Sequence, residues 1–162
     1  MKSMKTMKMK AMRAGQEGVM LLEALIGILI FSLGVLALVA MQAVSISNVS
    51  NAQYRTEAAF LANEILSQIW LDRGVNLARV PVYAYPGGPA AGAWVSKIQA
   101  PGTGLPGAGT YTPTIAIAPV AGAPPGPGGL PGAYQVTVTV FWRAPDAIST
   151  SNHVAIAIVS NP

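Results

Sequence analysis

Residues 19–41 form an apolar run in which Glu23 is the one charged side chain and Ser32 the one other polar one. As a helix rising 1.5 Å per residue, this run spans about 35 Å, enough to cross a hydrocarbon core of about 30 Å. A carboxylate inside such a segment costs about 2.5–3.5 kcal/mol at bilayer depth, so Glu23 requires a functional reason. It stands five residues after Gly18, in Gly18-Val19-Met20-Leu21-Leu22-Glu23.

The residues before the run carry Lys2, Lys5, Lys8, Lys10 and Arg13 against Glu17. Basic flanks stay on the cytoplasmic side, which predicts a cytoplasmic N-terminus with everything after residue 41 outside. Two plainer readings compete. A secretory signal has an apolar stretch of about 7–15 residues ending at a small-residue cleavage site; this run is longer, and Val39-Ala40-Met41-Gln42-Ala43 fits such a site poorly. An uncleaved signal anchor satisfies the hydropathy but leaves the spacing of Gly18 and Glu23 unexplained.

Charge is unevenly placed. Of the ten Lys and Arg residues, five lie in the leader. Beyond residue 18, Arg55, Arg73, Arg79, Lys97 and Arg143 balance Glu23, Glu57, Glu64, Asp72 and Asp146. The basic pI therefore describes the leader, and the folded part has no basic stripe of the kind that binds nucleic acid. Cysteine is absent, which excludes disulfides and thiolate chemistry.

The segment Gly18-Val19-Met20-Leu21-Leu22-Glu23-Ala24-Leu25-Ile26 resembles the processing site of type IV prepilins and of the related type II secretion pseudopilins. In that family an inner-membrane prepilin peptidase cuts after the glycine and N-methylates the new first residue. The resemblance implies cleavage between Gly18 and Val19, methylation of Val19, and retention of the apolar segment in a filament core. Val19 departs from the Phe or Met usual there. Met4, Met7, Met9 and Met12 are alternative starts; the family's shorter leaders would begin at a position like Met12, and Met1 and Met12 are both open.

Glu23 then acquires a partner. Cleavage exposes the α-amino group of Val19, which is mostly protonated at neutral pH and keeps its charge on methylation. In the resembling family this glutamate attracts the first residue of a neighbouring subunit and sets register. A one-residue slip would leave two charges unpaired in a low-dielectric setting. The competing reading has Glu23 snorkel to the nearby interface.

Past residue 41 the pattern turns amphipathic. Tyr54, Ala58, Leu61, Ile65 and Ile69 recur at helical spacing, and Gln53, Glu57, Asn63, Glu64 and Gln68 lie mostly off that face. No proline occurs before Pro81, so one helix is expected over residues 19–72, with Gly74 as its C-cap and Gly27 and Gly34 as weak points within it. Gln42-Ala43 and the segment from Arg55 to Ile65 are similar to the PilV subgroup of minor pilins. The minor pseudopilin I of type II secretion has a similar helix.

From residue 79 onward Gly and Pro dominate the connections, at residues 86–89 and 123–132, without the three-residue period of collagen. Tyr134, Val136, Val138, Val140 and Trp142 alternate with Gln135, Thr137, Thr139, Phe141 and Arg143 as a strand. Val154, Ile156 and Ile158 alternate with His153, Ala155, Ala157 and Val159 as another, with His153 on the small-residue face, expected to be solvent-exposed. Residues 93–99 and 112–118 are weaker strand candidates.

The expected fold is α+β and pilin-like: a leader over 1–18, a long helix over 19–73 with its transmembrane half at 19–41, and a small antiparallel head over 74–162. No catalytic set is visible. Asp72 and Asp146 read as cap and turn residues, and no cofactor, metal or small-molecule ligand is expected. The resemblance implies a structural minor pilus subunit that initiates assembly or modifies the fibre. Its partners would be the prepilin peptidase, other pilins and the inner membrane, its head periplasmic and its final place an extracellular pilus. The alternatives are a type II secretion pseudopilin and a pilus-associated adhesin or DNA-uptake module. Uptake would call for free cations on the head, where only Arg79, Lys97 and Arg143 are available.

Overall fold

The computed structural model describes residues 17–145 and 147–161. The cations of the leader and the turn expected at Asp146 lie outside the described residues. Helix α1 (Glu17–Leu71) contains 55 residues. The chain divides into two compact units, residues 1–46 and 47–162, so the later part of α1 belongs to the head.

In the first unit every described side chain from residue 18 to 46 is exposed. This portion of α1 is long and apolar enough to cross a membrane, judged by length and composition. The hydroxyl of Ser32 donates to the Ile28 carbonyl at 2.7 Å. That bond satisfies the hydroxyl's donor within the helix itself.

In the second unit the helix keeps one face for the core. Ala58, Leu61, Ala62, Ile65, Leu66 and Ile69 are buried there. The polar stretch of residues 45–51 stays helical: Ser and Asn lower propensity but supply no proline. The helix ends at Leu71, two residues before the expected boundary. Gly74 adopts φ +70°, a conformation that costs a side-chain-bearing residue its Cβ clearance; a turn at Val75–Leu77 follows, with Asn76 and Leu77 at φ +58° and +62°, and then a 3₁₀ turn at Val80–Tyr83.

Three strands, β1 (Thr114–Pro119), β2 (Ala133–Trp142) and β3 (Ser151–Ser160), form one antiparallel sheet in the order β1-β2-β3. Val138 opposes Ile115 on β1 and Ala155 on β3, which fixes the register of all three. The central strand follows its alternation: Val136, Val138, Val140 and Trp142 are buried, and Gln135 on the opposite face is exposed. β-branched residues suit this position because they pack on a pleated surface with little loss of rotamer freedom. The head is thus α+β, with the helix face and the sheet's inner face meeting in one core.

Residues 93–99, expected as a weak strand, are instead helix α2 (Gly92–Gln99). Trp94, Val95 and Ile98 fall together at helical spacing and are buried, which outweighs the local β preference of Trp and Val. The Trp94 indole N–H donates to the Leu61 carbonyl at 2.9 Å, a buried bond that ties α2 to α1. Beside it Lys97 reaches both carboxylate oxygens of Glu64 at 2.8 and 2.7 Å. After α2 the chain turns back tightly: Leu105 donates to the Ile98 carbonyl at 2.9 Å, and Leu105 and Ala108 are buried.

His153 is the second correction. It is half-buried, because the small-residue face of β3 is the inner one. Ala155 and Ala157 pack against the core and Val159 is fully buried. Val154, Ile156 and Ile158 face outward.

Candidate functional site

Gly18 lies in the first turns of α1, and a Cβ added there would meet nothing within 4 Å. Val19 is 63% exposed and Glu23 is exposed. Four residues apart on a helix, they share a face and are separated by about 6 Å along the axis. Among the described residues no hydrogen bond or ion pair engages Glu23. The segment around Gly18 thus presents a glycine, a β-branched residue and, one turn on, a carboxylate, with no tertiary packing to hide them.

Two pairs of the head's charged groups engage each other, Arg79 with Asp72 and Lys97 with Glu64. Arg79 grips Asp72 at 2.8 Å through each of two nitrogens, and the Tyr83 hydroxyl donates to the same carboxylate at 2.8 Å. Arg79 first, and Tyr83 second, hold the Asp72 carboxyl below its ordinary range. Burial, reinforced by the bond to Asp72, pushes the Tyr83 phenol up. The Arg73 guanidinium lies 5.4 Å from the Trp70 ring centroid, and Arg143 sits 5.8 Å from that of Tyr111. Asp72 is thereby a structural residue at the end of α1 that anchors the 3₁₀ turn at Val80–Tyr83.

The outer face of β3 breaks the ordinary pattern of a half-solvated sheet. Val154, Ile156 and Ile158 are 47%, 62% and 56% exposed. They oppose Thr139, Thr137 and Gln135 on β2, a conventional polar face. β3 is also an edge strand, so its far side offers unpaired backbone donors and acceptors. Period-two alternation cannot orient a strand whose two faces are both apolar; the contrast of alanine against isoleucine was the available signal.

Among the described residues, no three His, Asp or Glu side chains converge in a way that could hold a metal ion. No known protein family, curated protein or solved structure matches this chain. The class is therefore defined by architecture: an α+β protein with a long apolar N-terminal helix whose later part packs on a small antiparallel sheet. That arrangement is compatible with a type IV pilin-like fold.

Proposed function

We propose that this chain is a structural subunit of a type IV pilus, a minor pilin of the PilV type that takes part in assembly or modifies the fibre. The observation that carries the reading is the pairing of Gly18-Val19 and Glu23 with a helix half whose side chains are all exposed. Such a surface requires lipid first and other subunits later. The N-terminus is cytoplasmic and the head periplasmic. A prepilin peptidase cuts between Gly18 and Val19 and methylates Val19.

Glu23 then pairs with the amine of Val19 on an adjacent subunit. The amine of its own chain is only one turn away, so the intersubunit pair competes with an intrachain one. In the filament core, neighbours exclude the water that would otherwise screen it. Two of the head's five cations, Arg79 and Lys97, are held by Asp72 and Glu64, which weakens the DNA-uptake alternative.

The test is a pair of variants followed by immunoblot of membranes and of sheared pili. Gly18→Ala accumulates as the unprocessed chain. Glu23→Ala is inserted and processed but missing from the pilus fraction. Normal incorporation of Glu23→Ala would defeat the assembly role, and an unchanged band for Gly18→Ala would defeat the processing site.

A further inference from the structure

The two edges of the sheet are finished differently. At the β1 edge, Tyr85 exchanges both backbone hydrogen bonds with Ile115 at 2.9 Å, and Pro119 has no N–H to offer. Those bonds also fix which residues point where, because each strand residue directs its N–H and C=O to one side and its neighbours direct theirs to the other. Ile115 faces Tyr85, so Thr114, Ala116 and Ala118 bond to Thr139, Thr137 and Gln135 of β2. The even-numbered residues of β2 therefore face β3, where they meet Ser151, His153, Ala155, Ala157 and Val159. That leaves Asn152, Val154, Ile156, Ile158 and Ser160 with their backbone groups directed away from the sheet.

The Ser160 carbonyl accepts from the Arg73 guanidinium at 3.4 Å, which closes that end of the edge and agrees with the assignment. Among the described residues, none bonds to the backbone of Asn152, Val154, Ile156 or Ile158 outside the sheet. All four are exposed, so their N–H and C=O groups stand open over about 20 Å. The devices that normally guard such an edge are absent. Ser151–Ser160 has no Lys, Arg, Asp, Glu or Pro, and its register with β2 runs without a bulge. Val154, Ile156 and Ile158 also turn apolar side chains to the outer face.

We propose that the β3 edge binds an extended segment of a different protein chain, which joins the sheet as a fourth strand. Backbone donors and acceptors at two-residue spacing are matched by another extended backbone. The segment is uncharged opposite residues 152–158, where a charge would meet no counter-charge, and apolar beside Val154, Ile156 and Ile158. A second copy of this chain fits poorly. Its β1 edge is closed by Tyr85. Two β3 edges pair symmetrically only antiparallel, about an axis normal to the sheet. The head portion of α1 packs its side on the sheet and runs parallel to the sheet plane, so that axis reverses it. The two copies of Ser47 would lie at opposite ends, whereas both chains leave that point for one membrane; this step rests on the membrane reading. Edge pairing also covers a strip only about 20 by 5 Å, far short of the roughly 1,000 Å² that a stable dimer of folded copies needs. A flexible segment needs less, because main-chain hydrogen bonds carry its affinity.

The experiment follows backbone amide exchange by NMR in the ¹⁵N-labelled full chain in detergent. The probe is a capped peptide of alternating valine and threonine, the pattern of residues 136–140 of β2, with a lysine at each end for solubility. In the free chain the amides of Val154, Ile156 and Ile158 should exchange fast, and those of Ala155 and Ala157, bonded to β2, slowly. About 1 mM peptide should slow the first set about tenfold, as a Kd of about 0.1 mM gives, and leave the second set unchanged. The same peptide methylated on its internal amides should have no effect. No slowing, or equal slowing by the methylated peptide, overturns the proposal. Ile156→Pro removes a donor that points away from β2, so the near-UV circular dichroism should persist while the peptide no longer protects Val154 and Ile158. Protection retained in a folded Ile156→Pro chain overturns the proposal as well. Sedimentation equilibrium of the free chain decides the occupant: a monomer supports a different chain, and a dimer that Ile156→Pro dissociates overturns it in favour of a second copy. None of these readouts uses a pilus, so failure of the filament reading is seen separately.

Discussion

Arg79 holds both oxygens of Asp72 at 2.8 Å, across the end of α1 and the turn that follows it. The pair is solvent-exposed, so its worth lies in geometry: it fixes where the chain goes after Gly74, and Tyr83 completes it.

This cluster makes stability depend on pH at both ends. Asp72 has a folded pKa below its unfolded value, so its contribution is complete above about pH 4 and fades as pH falls through the folded value. Tyr83 is raised, so its contribution is complete below about pH 10 and fades as pH rises through the folded value. Melting followed by near-UV circular dichroism should show a plateau with losses on both sides. Asp72→Asn should lower the plateau and flatten the acid side; an acid limb as steep as the native one would assign it to other carboxylates.

The bond from Trp94 to the Leu61 carbonyl separates packing from hydrogen bonding. Trp94→Phe keeps most of the apolar volume and should cost about 1–2 kcal/mol, near the value of one buried hydrogen bond. Trp94→Ala should cost about 3–5 kcal/mol by leaving a cavity between α1 and α2. Urea unfolding measures both, and equal losses would mean that the bond contributes nothing measurable.

Gly104 lies where the chain folds back on α2, and an added Cβ would collide with the Ile98 carbonyl oxygen. Because the obstacle is backbone, neither side can yield cheaply. Gly104→Ala should destabilise the head by about 1–3 kcal/mol, whereas Gly109→Ala, with open space at its Cβ, should leave the urea midpoint nearly unchanged.

Ile156 is 62% exposed on the outer face of β3. Ile156→Thr keeps β-branching and removes apolar surface, so the isolated chain should melt within about 0.5 kcal/mol of the native one. Under the filament reading, its recovery in sheared pili should fall. Full recovery would free this face from any role in assembly.

Much of the architecture was legible in order along the chain. The apolar run of residues 19–41, the buried helix face from Ala58 to Ile69 and the alternation of β2 each repeat one period often enough to declare an element by themselves. The segment Gly18-Val19…Glu23 is likewise local, and its geometry on α1 follows from helical spacing alone. Residues 93–99 were ambiguous because seven residues with Trp, Val and Ile fit either period; burial of Trp94, Val95 and Ile98 against the core decided for a helix.

What only tertiary structure could decide was direction. In β3 both faces are apolar, and the choice to turn Ala155 and Ala157 inward and Ile156 outward depends on how much room the core leaves beneath an edge strand. The bond from Trp94 to the Leu61 carbonyl joins positions 33 residues apart, a distance in sequence over which no period or motif carries information. The sequence by itself determined the helix, the strand periods and the charge within the apolar run, because each follows from neighbours a few residues away. The sheet's orientation and the docking of α2 on α1 arise from long-range packing, which sets steric room and pairing together.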